Sequence, residues 1–486
     1  MRATLICSQT LLVAFALFTP VIARADPPST GDLASQVEAY MTARVRRDRF
    51  SGSVLIARAG KVLFCRGYGL ANREHEVPCT PQTKYRLGSI TKQFTAMAIL
   101  ILQEQGKLSI SDPVKKHVPQ APQSWDGITI HHLLTHTSGI PNYTSFPDFL
   151  KTLPDRVTLT ELIGKFKDKP LEFPPGAKFK YSNSGYIVLG QIIETAAAMP
   201  YATFLKRAIF DPLQMRDTGY DNAIPILVHR AAGYTRRLGL VLTNADYIDM
   251  SIPHAAGALY STVEDLLKWD QALDAGKLVS RKSLEAMFTP FQGHYGYGWL
   301  IERKFHQPRQ LHGGGIMGFV TMIQRYPAEK LLVVVLSNLE GSPVGPIGDD
   351  LAAIALGEPY VVPREPKAVA VAPKLYDAYT GRYEADLPDG QGKREYTITR
   401  QRDRLLLEPK NQTKLEAVPE TDSRFYIKGW DAIVEFVRGP GGAATEMIVL
   451  QNNVKVRAKR IEAKPQAAPA QPATPKAVAD PAATRR

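Results

Sequence analysis

The spacing of apolar side chains changes several times along this chain, and each change predicts an element. Leu33, Val37 and Met41 recur every four residues, with Tyr40 beside them, which predicts an amphipathic first helix. Residues 53–57 and 62–66 are apolar, β-rich runs on either side of Arg58-Ala59-Gly60-Lys61, the pattern of a hairpin. Residues 93–102, Gln-Phe-Thr-Ala-Met-Ala-Ile-Leu-Ile-Leu, have almost no polar face and predict a buried helix. From 106 to 260 the pattern is mostly helical with many loops. A second hairpin is expected over 321–326 and 331–337, around Pro327-Ala328-Glu329-Lys330, and a helix over 347–356. Strands at both ends with helices between them predict an α+β domain: one antiparallel sheet built from both ends, and a helical lobe against it. A cleft between lobes is a common ligand site.

The texture then changes. Residues 359–373, rich in proline and valine, read as a linker. Short strand-like runs follow at 395–399, 404–408, 425–428, 433–437, 446–451 and 455–461, split by Gly, Pro, Asp or Asn. They predict a small antiparallel β domain over 374–462, barrel or sandwich. The Ala/Pro-rich segment 463–486 is expected to be disordered.

Composition is that of an ordinary globular protein: 486 residues, 44% hydrophobic and 22% charged. Residues 1–25 are a separate matter. Arg2, the apolar run 11–18 and Ala23-Arg24-Ala25 have the form of a signal peptide, too short to span a membrane comfortably. Export to the periplasm or medium without a stable membrane anchor is the expectation, with the first domain running over 26–358. Two cysteines remain, Cys65 and Cys79. An oxidising compartment permits a disulfide between them, against the alternative of two free thiols. Neither lies in a Cys-x-x-Cys pattern, so no metal or redox cofactor is expected. The formal net charge is +13, but its Lys and Arg are scattered, so no nucleic-acid groove is expected.

Candidate chemistry begins at Ser89-Ile90-Thr91-Lys92, the single Ser-x-x-Lys of the chain, directly before the buried helix. Serine and lysine three apart share a helix face. Burial disfavours the ammonium, so the lysine can accept the proton that holds the serine back as a nucleophile. The same residues would also suit an N-cap serine and a solvated lysine, so further residues decide. Tyr181 and Asn183 sit in a loop before another helix. A phenol can pass a proton once a cation lowers its pKa, and an amide can orient a carbonyl. Tyr220-Asp221-Asn222 repeats that spacing. His312-Gly313-Gly314-Gly315 lets backbone amides approach a ligand. Gly313–Gly318 also fits Gly-x-Gly-x-x-Gly, but a strand follows rather than a helix, which excludes the dinucleotide reading. His132 and His136, with His131 adjacent, have helical metal-ligand spacing but no evident third ligand, so capping or packing is favoured.

The ordered set Ser89-x-x-Lys92, Tyr181-x-Asn183 and His312-Gly313-Gly314 resembles the three motifs of the serine β-lactamase and penicillin-binding DD-peptidase superfamily. The branch most similar is that of class C β-lactamases, D-aminopeptidases and related esterases. Gly106-Lys107-Leu108, residues 133–140 and Asp211-Pro212-Leu213 match as well, so the resemblance covers about 30–358. Residues 374–462 resemble the small β-barrel often appended to such hydrolases. The resemblance implies a β-lactamase-like fold. It implies Ser89 as the acylated nucleophile, Lys92 as base and Tyr181 as proton shuttle. Asn183 would hold the acyl side chain, Gly314 and His312 would bind substrate, and the amides of Ser89 and Gly315 would form the oxyanion hole. His312 departs from the lysine of class C β-lactamases, which points away from strong β-lactamase activity. The reading is an exported serine hydrolase acting on esters or D-amino-acid peptides. Its substrate would be a small molecule or peptide, with cell-wall peptide among the candidates. A class C-like β-lactamase and a catalytically silent penicillin-binding or sensor protein are the alternatives.

Overall fold

The structure, a computed structural model, describes residues 30–461 except 47–49, 238–240, 364–366, 388–391, 411, 413, 429–431 and 452–453. The expected signal peptide and the Ala/Pro-rich tail lie outside the described residues. Contacts divide the chain into two units. The first takes residues up to Gly233 and then Asp246–Pro363; the second takes Tyr234–Ala245 and the chain from Arg364 onward.

The first unit is organised by a six-stranded antiparallel sheet. Its strands are β1 (Gly52–Arg58), β2 (Lys61–Tyr68), β3 (Leu300–Lys304), β4 (Gln307–Ile316), β5 (Phe319–Tyr326) and β6 (Leu331–Ser337). They lie in the order β3-β4-β5-β6-β1-β2, so the N-terminal hairpin pairs with strands from 250 residues and more downstream. The β1–β2 turn needs two positive φ angles, 48° at Ala59 and 74° at Gly60, as two-residue hairpin turns do. β1 and β6 are interior strands of the sheet, and their side chains alternate between two cores. Val54, Ile56, Val333 and Val335 meet helices α1 (Thr30–Arg46) and α5 (Val344–Leu356) on one face. Leu55, Val334 and Leu336 join the helical lobe on the other. Full burial of each such side chain stabilises by about 1.5–3 kcal/mol. Tyr40 of α1 donates to Asp350 of α5 at 2.6 Å, tying those two helices together.

Within the lobe lie α2 (Thr91–Glu104), α3 (Asn183–Ala197) and the single turn α4 (His254–Gly257). Every residue of α2 from Thr91 to Leu102 is buried, as its unbroken apolar texture predicts. Among the described residues no single helix is long and apolar enough to cross a membrane.

The second unit contains a closed eight-stranded barrel, β7 (Gly381–Asp386), β8 (Lys393–Gln401), β9 (Arg404–Pro409), β10 (Leu415–Pro419), β11 (Arg424–Ile427), β12 (Ala432–Arg438), β13 (Ala444–Gln451) and β14 (Val454–Ile461). Each strand pairs with the next, and β7 pairs with β14, which leaves no free edge. Tyr379 stacks on Phe436 at 4.3 Å inside it. Six of these strands match runs expected from sequence. β7 and β10 do not: one alternates charged with apolar residues, and the other is five residues long and ends in proline.

The disulfide expectation is corrected. Cys65 and Cys79 are free thiols, not a disulfide. They face different neighbours. Cys79 is buried with its Sγ 3.8 Å from Ser51 Oγ. Cys65 lies opposite Leu55 in the β1–β2 ladder. Burial, then the charge of Glu264, pushes its thiol up to about 12. Neither thiol has the exposed, electropositive setting of a reactive one.

Candidate active site

Ser89 sits in a single 3-10 turn, Gly88–Ile90, that runs directly into α2. Gly88 has φ +55°, and a Cβ there would lie 2.7 Å from the nitrogen of Gly315. Only glycine lets the nucleophile turn approach β4 so closely. The same holds across the contact: a Cβ on Gly314 would lie 1.9 Å from the Leu87 carbonyl oxygen and 2.3 Å from Thr321 Oγ1. The backbones of Ser89 and Gly315 are thereby brought side by side.

One turn on from Ser89, Lys92 is fully buried. Its Nζ lies 3.1 Å from Ser89 Oγ, 2.8 Å from Asn183 Oδ1 and 2.8 Å from the Ala256 carbonyl oxygen. Burial holds this amine well below the ordinary lysine range. The ring faces of Tyr181 and Tyr186, 4.9 and 5.5 Å away, offset only part of that cost. A neutral amine has two N–H groups and one lone pair. In the neutral form Ala256 O and Asn183 Oδ1, which only accept, take the two N–H groups and leave the lone pair to the Ser89 hydroxyl; in the charged form the third N–H donates to Ser89 Oγ. Asn183 Nδ2 donates to Thr144 Oγ1 at 3.1 Å, with its Oδ1 turned to Lys92. Asn142 Oδ1 takes the Asn183 N–H at 3.0 Å, so this α3 N-terminus is held from the facing loop.

Tyr181 lies beside Ser89, yet its hydroxyl has no well-formed partner among the described residues. Burial raises its pKa, and Ser89 lowers it only in part. The expectation of a phenol acidified by a cation is therefore reversed: Tyr181 stays protonated. His136, at φ +57°, packs its ring 4.2 Å from that of Tyr181. Its Nδ1 accepts from Ser182 N–H at 3.2 Å.

His312 is placed differently from the expectation that it binds substrate. Its Nδ1 lies 2.6 Å from the Gly313 carbonyl oxygen and its Nε2 2.9 Å from Tyr295 Oη. The carbonyl only accepts, so Nδ1 carries the proton and Nε2 accepts from the phenol. Burial, then the nearby Lys92, lowers the pKa of this imidazole to about 3. It is a neutral, internally bonded side chain rather than a cation aimed at a carboxylate.

A cavity of about 180 Å³ opens at Ser89 and is walled by Thr144, Asn183, Ala256, Gly315 and Met317 among others. His312 and Gly314 are not among its walls. The second Tyr-x-Asn is not brought to the site: Tyr220 bonds the Met250 carbonyl and Asn222 the Ile224 amide. His132 caps its own helix with Thr129, which accounts for it without a metal. Sequence reasoning missed Ala256, Thr144, Asn142 and Tyr295. Ala256 acts through its carbonyl, which leaves no side-chain signature. Asn142 and Thr144 lie two and four residues beyond the 133–140 stretch.

Residues 33–357, more than half of the chain, match the family described as Beta-lactamase. The chain belongs to the beta-lactamase family. With that family it is a serine hydrolase. Penicillin-binding protein 4* of Bacillus subtilis (strain 168) is 31% identical over 440 residues, 85% of this chain and 96% of that one. The structure of an octameric penicillin-binding protein homologue from Pyrococcus abyssi superposes with TM-score 0.62 at 26% identity, over 87% of this chain and 99% of the other. A D-stereospecific amidohydrolase from Streptomyces sp. does so with TM-score 0.56 at 26% identity, over 68% and 98%.

Proposed function

We propose that this protein is an exported serine hydrolase that cleaves esters or D-amino-acid amides and peptides through a Ser89 acyl-enzyme. The observation that carries this reading is the Lys92 amine, buried, depressed and 3.1 Å from Ser89 Oγ, with its other two neighbours able only to accept. As Ser89 Oγ bonds the substrate carbonyl carbon, its proton passes to Lys92. The oxyanion settles between the amides of Ser89 and Gly315, a contribution of about 3 kcal/mol per donor. Tyr181, kept protonated by burial, gives its proton to the leaving group and is recharged from Lys92. Water then attacks the acyl-enzyme by the same route in reverse. Asn183 aligns the substrate while holding Lys92. The D-stereospecific relative supports D-configured amides as substrates, and residues 1–25 support export. A neutral, internally bonded His312 counts against a β-lactam carboxylate site.

Purified protein freed of residues 1–25 should turn over nitrophenyl esters and D-aminoacyl nitroanilides faster than nitrocefin. A fluorophosphonate should label Ser89. Absence of turnover on the whole panel, or an adduct on another residue, sinks the proposal.

A further inference from the structure

A second cavity, about 530 Å³, adjoins the Ser89 cavity within the first unit and shares three of its wall residues, Tyr143, Phe149 and Ile252. The Tyr143 hydroxyl donates to the Ile252 carbonyl at 2.6 Å, so two of the shared residues form a fixed sill. Phe146 and Leu162 add apolar wall, while Lys165 and Lys169 supply cationic groups. Lys169 is exposed, with its Nζ 5.3 Å from the Phe146 ring centroid. Lys165 is half-buried and feels Glu161 one turn before it. Asp148 also lines the cavity and pairs with Lys151 at 2.8 Å.

We propose, on the basis of the Ser89 reading, that this cavity is a substrate subsite. It receives the arm of the substrate that runs along Asn183 and Thr144, and it selects an apolar chain of several carbons that ends in a carboxylate. Continuity places the arm: Tyr143, Phe149 and Ile252 wall both cavities, and Tyr143 is the chain neighbour of Thr144 in the Ser89 cavity. The apolar walls reward chain length, because each buried methylene raises affinity by about fourfold. Lys165 and Lys169 select the sign of the end group. An acetyl ester occupies only the Ser89 cavity and reports the chemistry without the subsite.

The test compares kcat/KM for p-nitrophenyl acetate, p-nitrophenyl octanoate and the mono-p-nitrophenyl ester of a nine-carbon dicarboxylic acid. The octanoate should exceed the acetate by at least tenfold, and the carboxylated ester should exceed the octanoate, less so at high salt. In the Lys165→Glu/Lys169→Glu protein the preference for the carboxylated ester over the octanoate should fall by about tenfold. Lys169→Gln should lower it by about threefold. Circular dichroism checks that the variants are folded, and the wild-type chain-length series needs no variant. A flat chain-length series, or a carboxylate preference indifferent to the double substitution, overturns the subsite while acetate turnover still reports on Ser89. No acetate turnover and no Ser89 adduct overturns the underlying reading as well.

Discussion

Replacing Ser89 by alanine removes one hydroxyl from the mouth of a cavity, so turnover should vanish while the melting temperature stays within a few degrees. Thermal denaturation beside a nitrophenyl-ester assay checks both halves, and retained turnover would remove Ser89 from the chemistry. Lys92 offers a sharper test, because its cost is paid as a function of pH. Its folded pKa lies well below the ordinary lysine value. Between the two pKa values the unfolded chain binds one more proton than the folded one, so stability rises with pH across that window, by about 1.4 kcal/mol per unit from this group. The burden is full below the folded pKa and is lifted above the unfolded one. Lys92→Met should flatten that slope and abolish turnover; an unchanged slope would mean the amine is not held neutral. For the same reason kcat/KM should climb with pH on the Lys92 ionisation. Imidazole should contribute no limb near 6.5, because burial depresses both His136 and His312. Ser89, Lys92, Tyr181 and Asn183 were legible in sequence because their residue types and order are rare. The state of His312 was not, since it depends on Tyr295, a partner seventeen residues away that no motif marks.

At the scale of elements, the site depends on how closely the Ser89 turn can lie against β4. Gly314→Ala should therefore cost about 1–3 kcal/mol of stability and lower kcat/KM by more than tenfold, since the added methyl meets a backbone carbonyl that cannot swing aside. Gly315→Ala is the control, because a Cβ there meets nothing within 4 Å of the protein; it should keep the wild-type melting temperature. Equal melting temperatures for both variants would show that the strand yields at Gly314. Glycine runs are visible in sequence, but which glycine is sterically obligatory is not. The β1–β2 and β5–β6 hairpins and the buried α2 were legible because each is a run of apolar residues bounded by clear turn or helix-start signals. In the barrel, β7 and β10 escaped because short strands with charged outward residues look like loops until the ring closes around them.

For the whole molecule, every residue placed at the site lies in the first unit, and the barrel has its own aromatic core. A chain ending at Pro363 should fold and keep Ser89 labelling, measured by fluorophosphonate capture and circular dichroism; inert or insoluble protein would show that the barrel completes the site or the fold. The α+β character and the appended β domain were legible from changes of texture. The assignment of Tyr234–Ala245 to the second unit was not, because a four-residue hairpin strand carries no mark of the unit it serves. That hairpin has a consequence for synthesis. It leaves the ribosome before the remainder of the first unit, while its companions start only at Arg364. At about 5–20 residues per second, roughly 120 intervening residues keep it waiting for on the order of 6–24 s. During that interval its two strands have each other and not yet the later chain with which they group.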